Sequence, residues 1–226
     1  MYLVFDVNET LLDLSVLDPV FDRMFGGDGP PGRRVREAWF AELLQRAMTS
    51  TITGPFVDFG ELAASALRVT GQRYGHDLAF SEIETVLDAV RHLPAHDDVG
   101  PALDRLDTTG VPRAALSNGT PDTLAAQLEN AGLTDRFDRV LSAQDAGRLK
   151  PAPEPYRYAA RQLDVPPEDL CMVAAHAWDT TGALRAGLKA AFVARPGKYL
   201  ATVEPEPMVV GSTLVEVVER VVAEGT

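Results

Sequence analysis

The chain has 226 residues and a single cysteine, Cys171. One thiol excludes a disulfide framework and any multi-thiolate metal site, and such usage fits a reducing compartment. Cations are also scarce: 21 Lys and Arg stand against 33 Asp and Glu, for a formal charge of -12 and a pI near 4.7. A nucleic-acid surface needs clustered cations, so no nucleic-acid partner is expected. Arg33, Arg34 and Arg36 form the only tight basic cluster, which reads as a solvated helix start. No apolar run approaches the ~20 residues that cross a bilayer, and the opening segment is unlike the basic-then-apolar start of a secretory signal. These absences predict a cytoplasmic protein with no membrane partner. What is abundant is apolar: 46% of residues, enough at this length for a sizeable interior.

From about residue 95 the pattern alternates helix and strand, which predicts parallel β units with helical crossovers. After a first strand ending at Asp6, further strands are expected at Pro112 to Leu116, Arg139 to Ser142, Leu170 to Ala174, Ala190 to Ala194 and Met208 to Val210. A helix over Asp122 to Ala131 places Leu124, Leu128 and Ala131 on one face. The expected fold is an α/β, doubly wound, Rossmann-like parallel sheet. Residues 14–93 read differently, as three amphipathic helices marked by Val35, Trp39, Leu43 and Ala47, then Leu62, Ala66 and Val69, then Ile83, Val86, Leu87 and Val90. Loop-like segments lie at Gly26 to Pro31 and Leu93 to Asp98. The expected organisation is a core of residues 1–13 and 94–226 with an all-helical cap domain, 14–93, inserted over the first strand end.

The first strand delivers a lone carboxylate, Asp6, where ligands of open parallel sheets bind. A carboxylate so placed can be a nucleophile that forms a covalent ester. Three other segments put polar groups at strand ends. Ser117, Asn118 and Gly119 precede a helix with Thr120 as N-cap and Pro121 at its first position. They read either as an anion cradle or as a turn serving geometry alone. Lys150 precedes Pro151 and is kept out of the helical region, with Tyr156 following. It is either a solvated charge or a partner of Asp6, worth roughly 4 kcal/mol at about 4 Å and an effective dielectric of 20, before desolvation. The third segment brings His176, Trp178 and Asp179. Asp179 either holds Lys150 or a water, or caps a helix from Thr180; His176 is a general-base candidate or a packed ring.

Asp6, Thr10, Ser117, Asn118, Lys150 and Asp179, in this order on such a chain, closely resemble the haloacid dehalogenase superfamily of hydrolases. The resemblance covers nearly the whole chain. It looks most like the type II (S)-2-haloacid dehalogenase branch through Leu-Ser-Asn-Gly-Thr-Pro from Leu116, Lys150-Pro151 followed by Tyr156, and Ala-Trp-Asp-Thr-Thr-Gly-Ala from Ala177. The resemblance implies that Asp6 displaces halide from a small 2-haloalkanoic acid with inversion and that water hydrolyses the ester. It implies that Thr10 and Lys150 orient Asp6, and that Asp179 positions or activates the water, with His176 as an alternative activator. Ser117, Asn118 and Gly119 would hold the substrate carboxylate, with Asn8, Phe40, Tyr156 and Trp178 at the pocket. No cofactor is implied, and a homodimer is.

The sequence also departs from its relatives. Phosphatases of the superfamily have an Asp acid where Asn8 stands and an acidic Mg²⁺ ligand where Ala175 stands, so metal-dependent phosphatase chemistry is disfavoured. The Arg that follows the cap Trp in the well-studied dehalogenases is Phe40 here, so a substitute charge would have to come from Arg36 or Arg46. Phe40 also fits a stripe with Leu44 and Met48. Ala174 and His176 replace the Ser and Asn that flank the hydrolytic water. The competing readings are a phosphatase of weak Mg²⁺ dependence, a hydrolase opening a C–N bond of a small cyclic amino acid, and a catalytically silent protein keeping the fold.

Overall fold

A computed structural model of the chain describes residues 1–26, 29–200, 202–203 and 205–225. The chain opens with β1 (Tyr2–Phe5) and continues through helices α1 (Asp18–Phe25), α2 (Gly32–Thr53), α3 (Phe59–Arg73), α4 (Phe80–Arg91) and α5 (Val99–Thr109). Alternation follows: β2 (Arg113–Ser117), α6 (Pro121–Asn130), β3 (Arg139–Ser142), α7 (Pro153–Leu163), β4 (Leu170–Ala174), α8 (Ala177–Arg185), β5 (Lys189–Val193), β6 (Val209–Gly211) and α9 (Leu214–Gly225). The six strands form one parallel sheet in the order β3-β2-β1-β4-β5-β6.

Side chains alternate across each strand, and both sheet faces are covered. Leu3 and Phe5 of β1 join Cys171 and Val173 of β4 in a layer with α5, α6 and α9. Val4, Leu116 and Met172 face the opposite layer, with Tyr156, Ala159 and Ala160 of α7 and Ala183 of α8. In register, Phe5 lies between Ala115 of β2 and Val173 of β4. The carboxyl ends of these three central strands therefore finish together. The crossovers change direction between β1 and β4, which makes this end a topological switch point where ligands bind.

The helical segment leaves and rejoins the sheet at one place: Asp13 N–H donates to Pro94 O at 2.9 Å and His96 N–H to Leu11 O at 2.9 Å. Within it, Val35, Trp39, Leu43 and Ala47 of α2 are buried as their spacing predicts. Trp39 Nε1 donates to Ala63 O at 3.1 Å, tying α2 to α3. That contact turns α3 so that Leu62, Ala63, Ala66 and Leu67 form its buried face, while Val69 is only half-buried, a correction to the expected stripe. The helix α1 was not foreseen; its buried Phe21 lies 5.6 Å from the Trp39 ring. Of the loop expected at Gly26 to Pro31, Gly27 and Asp28 lie outside the described residues. Among the described residues no helix is long and apolar enough to cross a membrane.

The basic cluster also differs from its expected solvated state. Arg33 is exposed beside Glu37, but Arg36 is buried and its Nε donates to Asp18 Oδ1 at 2.5 Å. The reason is its position on the α2 face that meets α1.

Candidate active site

Asp6 follows β1 and its backbone N–H donates to Val173 O at 3.0 Å, so the sheet itself fixes the carboxylate. The chain then turns sharply. Glu9 adopts φ 60°, the left-handed region that non-glycine residues rarely enter, and its N–H donates to Leu12 O at 2.9 Å. The turn brings Thr10 back under Asp6: its hydroxyl donates to Asp6 Oδ2 at 2.5 Å and accepts from Ala175 N–H at 2.9 Å. Arg195, just beyond β5, donates to Thr10 O through Nη2 at 2.9 Å and to Asp98 Oδ2 through Nη1 at 2.7 Å. One guanidinium thereby pins the turn that carries Thr10.

Lys150 reaches in from the loop before α7 and is 1% exposed. Its three protons have three acceptors: Asp6 Oδ1 at 2.8 Å, Asp179 Oδ2 at 2.7 Å and Leu116 O at 3.0 Å. Asn118 fixes the lysine backbone from both sides, accepting from Lys150 N–H at 2.8 Å and donating to Lys150 O at 3.3 Å. Asp179 is fully buried, and Tyr156 donates to its Oδ1 at 2.6 Å. A β-carbon on Gly182, one turn on from Asp179, would stand 2.6 Å from that tyrosine hydroxyl, so only glycine lets α8 approach α7 here. The helix α8 begins at Ala177, earlier than the expected Thr180, because the His176 carbonyl already accepts from Asp179 and Thr180 N–H at 3.1 Å each. Asp179 is therefore an inward residue of the first turn and not its cap.

The pocket over Asp6 is walled by Phe40 and Leu44 of α2, Phe59 of α3, and His176 and Trp178. Its other lining residues are Asn8, Ser117, Asn118 and Lys150. His176 stacks between two rings, 5.9 Å from Phe40 and 5.1 Å from Trp178, each at 26°. Its Nε2 lies 3.9 Å from Asp6 Oδ2 and 3.5 Å from Glu9 Oε2.

Two expected pocket residues lie elsewhere. Tyr156 does not border the pocket; it is fully buried behind Asp179, because α7 packs on the opposite sheet layer. Gly119 faces a neighbouring cavity, with its N–H already donating to Ser117 Oγ at 3.1 Å and its carbonyl accepting from Ser142 at 2.6 Å. Nor does either candidate arginine reach Asp6. Arg36 is held by Asp18 and lines a separate charged cleft, and Arg46 pairs with Glu42 at 3.0 Å.

The two carboxylates are driven apart in acidity. Burial would raise Asp6, but the charges of Lys150 and His176 and the hydrogen bonds from Lys150 and Thr10 outweigh it and hold its carboxyl below the usual range. Burial dominates at Asp179, reinforced by the Asp6 charge and opposed by Lys150, and pushes its carboxyl up. Burial also disfavours the Lys150 ammonium, yet Asp179 and Asp6 overcome this and raise it above the usual lysine range. The lowered member of the pair is Asp6, the carboxylate that faces the pocket; both oxygens of Asp179 are taken by Lys150 and Tyr156.

Comparison with known proteins adds an independent line. The family model of haloacid dehalogenase-like hydrolases matches residues 1–187. The chain belongs to this family. An (S)-2-haloacid dehalogenase of Xanthobacter autotrophicus is 31% identical over 192 residues, which cover 85% of this chain and 74% of that protein. Another from Pseudomonas sp. (strain YL) is 30% identical over 86% of this chain and 83% of its own. Among solved structures, the L-2-haloacid dehalogenase of Xanthobacter autotrophicus with chloropropionic acid covalently bound superposes with a TM-score of 0.89 at 27% identity, covering 98% of both chains.

Phosphatases of the haloacid dehalogenase superfamily bind Mg²⁺, and the residues here do not suit it. Only Asp6 and Asp179 converge, both are bridged by the Lys150 ammonium, and Ala175 offers no further carboxylate. Among the described residues no group of three His, Cys, Asp or Glu is placed to hold a metal ion. Sequence reasoning missed Glu9, Phe59 and Arg195. Arg195 had a signal, since an apolar strand runs into Arg-Pro-Gly; Phe59, hidden in a helix start, had none.

Proposed function

We propose that this chain is an (S)-2-haloacid dehalogenase working without a cofactor, with residues 14–93 as a cap over residues 1–13 and 94–226. The observation that carries this reading is the Asp6 carboxylate at a strand end, held by Thr10 and Lys150 and facing an aromatic pocket. The Asp6 carboxylate attacks the carbon bearing the halogen, halide leaves with the bonding pair, and an alkyl ester of Asp6 with inverted carbon remains. Water then attacks the ester carbonyl, and the alcohol leaves as a 2-hydroxy acid. Lys150 and Thr10 orient the nucleophile. Asp179 holds Lys150, and Tyr156 holds Asp179. On the pocket side we assign the proton of the water to His176, which the sequence offered for this role beside Asp179; its Nε2 faces Asn8 O at 3.3 Å as a donor, so Nδ1 is the accepting nitrogen. Ser117 and Asn118 lie where the substrate carboxylate would rest, with Asn8, Phe40 and Trp178 around it. A cytoplasmic location and a homodimer belong to the same reading.

The test is chloride release from (S)-2-chloropropionate in excess chelator, with (R)-2-hydroxypropionate as product. Phosphate release from a generic ester that needs Mg²⁺, with no chloride release, would replace this reading with the phosphatase one.

A pH dependence follows from the charge pattern. Alkylation needs Asp6 ionised and Lys150 protonated. Asp6 is held down, so activity is lost only as pH falls below the ordinary carboxylate range; Lys150 is held up, so it is lost only as pH rises beyond the ordinary lysine range. The value of kcat/KM for halide release should therefore be level from about pH 5 to about pH 10. An inflection near neutrality would mean that a group other than Asp6 and Lys150 controls the alkylation step.

A further inference from the structure

The pocket directly over Asp6 encloses about 10 Å³, room for about one water. Against it lies a cavity of about 190 Å³, and Asn8, Phe40 and Phe59 are common to the walls of both. The larger cavity is apolar where the helices meet: Trp39 and Leu43 come from α2, Ala63 from α3, and Leu87 and Val90 from α4. Gln127 of α6 closes it on the sheet side, donating to Asn8 Oδ1 and to Val90 O at 3.0 Å each. The first of these bonds draws the short Asn8 side chain towards α6, at the boundary between the two spaces.

We propose that this cavity receives the side chain of the substrate, and that the preferred substrates are 2-haloacids carrying an alkyl or aryl chain of several carbons. The proposal rests on the Asp6 pocket being the reaction site. The space over Asp6 is too small for the carboxylate, C2 and halogen as it stands, so the rings of Phe40 and Phe59 part to admit them, and the chain then passes Asn8 between these rings and enters the helical layers. Asp58, Arg91, Thr120 and Thr123 also line the cavity, but most of its surface is apolar, so chain length adds affinity through apolar burial, by about fourfold for each methylene fully buried. The cleft lined by Arg36, Arg195 and Lys198 is larger but charged, and an alkyl chain gains nothing there.

The experiment is isothermal titration of the whole chain with two unreactive acids, propionate and hexanoate. Hexanoate is expected to bind at least about tenfold more tightly, three added methylenes being nearly buried. Ala63→Leu and Leu87→Phe fill the cavity from opposite walls, and in each the ratio of the two affinities should fall towards one. The ratio within one variant cancels any general loss, and the second variant serves if the first does not fold. Hexanoate binding no tighter than propionate, including no binding of either, overturns the proposal, as does a wild-type ratio kept in a folded cavity-filled variant. Halide release from 2-bromopropionate is followed in parallel. Its absence with the chain-length ratio intact removes the dehalogenase reading alone; its presence with a flat ratio removes this proposal alone.

Discussion

Asp6→Asn is expected to lower halide release by about 10⁴-fold or more, the scale on which enzymes lose turnover when a covalent nucleophile is removed. The amide keeps the size and an acceptor oxygen for one of the two donors, Lys150 or Thr10, so the fold should survive while the negative charge that attacks carbon is gone. The companion measurement is mass analysis of the wild-type chain after turnover in heavy-oxygen water. Because water attacks the ester carbonyl, one labelled oxygen should remain in the Asp6 carboxylate and the first product molecule should carry none. Label found in the product from the first turnover, with Asp6 unlabelled, would mean direct attack of water on the substrate. Asp6 would then be a base and the covalent reading would fail.

Lys150→Met is expected to damage both stability and turnover, and its effect on stability should depend on pH in a reversed sense. In the wild type the ammonium lies within 2.8 Å of both buried carboxylates. Removing one partner of a buried ion cluster leaves uncompensated charge and costs about 3–5 kcal/mol. Wild-type Asp6 is held below its ordinary range, so its contribution is present above that range and is lost as pH falls through the folded value. In the variant, burial and mutual repulsion raise both carboxyls. Their contribution is then fully present below the unfolded values and is lost as pH rises through the folded ones. Thermal unfolding between about pH 4 and pH 8 should show the variant gaining more stability towards acid than the wild type, in which the lowered Asp6 and the raised Asp179 act in opposite senses. A variant with the same pH slope as the wild type would mean that Lys150 contributes packing and not charge.

The parallel sheet and Asp6 were legible because short continuous apolar runs and turn residues are local signals, and each candidate lay at a strand end read from its own neighbours. Five strands were placed within one or two residues for that reason. The three longer helices of residues 14–93 were legible from their apolar stripes. The short α1, with only two buried residues, Phe21 and Phe25, was not. The site was only partly legible. Lys150 and Asp179 are 29 positions apart, and nothing local to either states that they meet. That meeting was one of the alternatives that the residue types at the strand ends left open.

Residue types at strand ends, the acidic balance and the missing phosphatase carboxylates are properties of the sequence by itself. Tertiary structure alone decided which way each side chain turned. It put Tyr156 behind Asp179 and not at the pocket wall, since α7 and α8 pack on one sheet layer and Gly182 of α8 leaves room for the tyrosine hydroxyl. It buried Arg36 against Asp18, away from the nucleophile. It also left the cavity beyond Phe40 and Phe59, because the space between packed helices depends on crossing geometry that no single stretch of chain encodes. Local pattern sets which elements form and what their ends carry; long-range packing sets acidity, reach and pocket shape, which depend on neighbours far away in sequence.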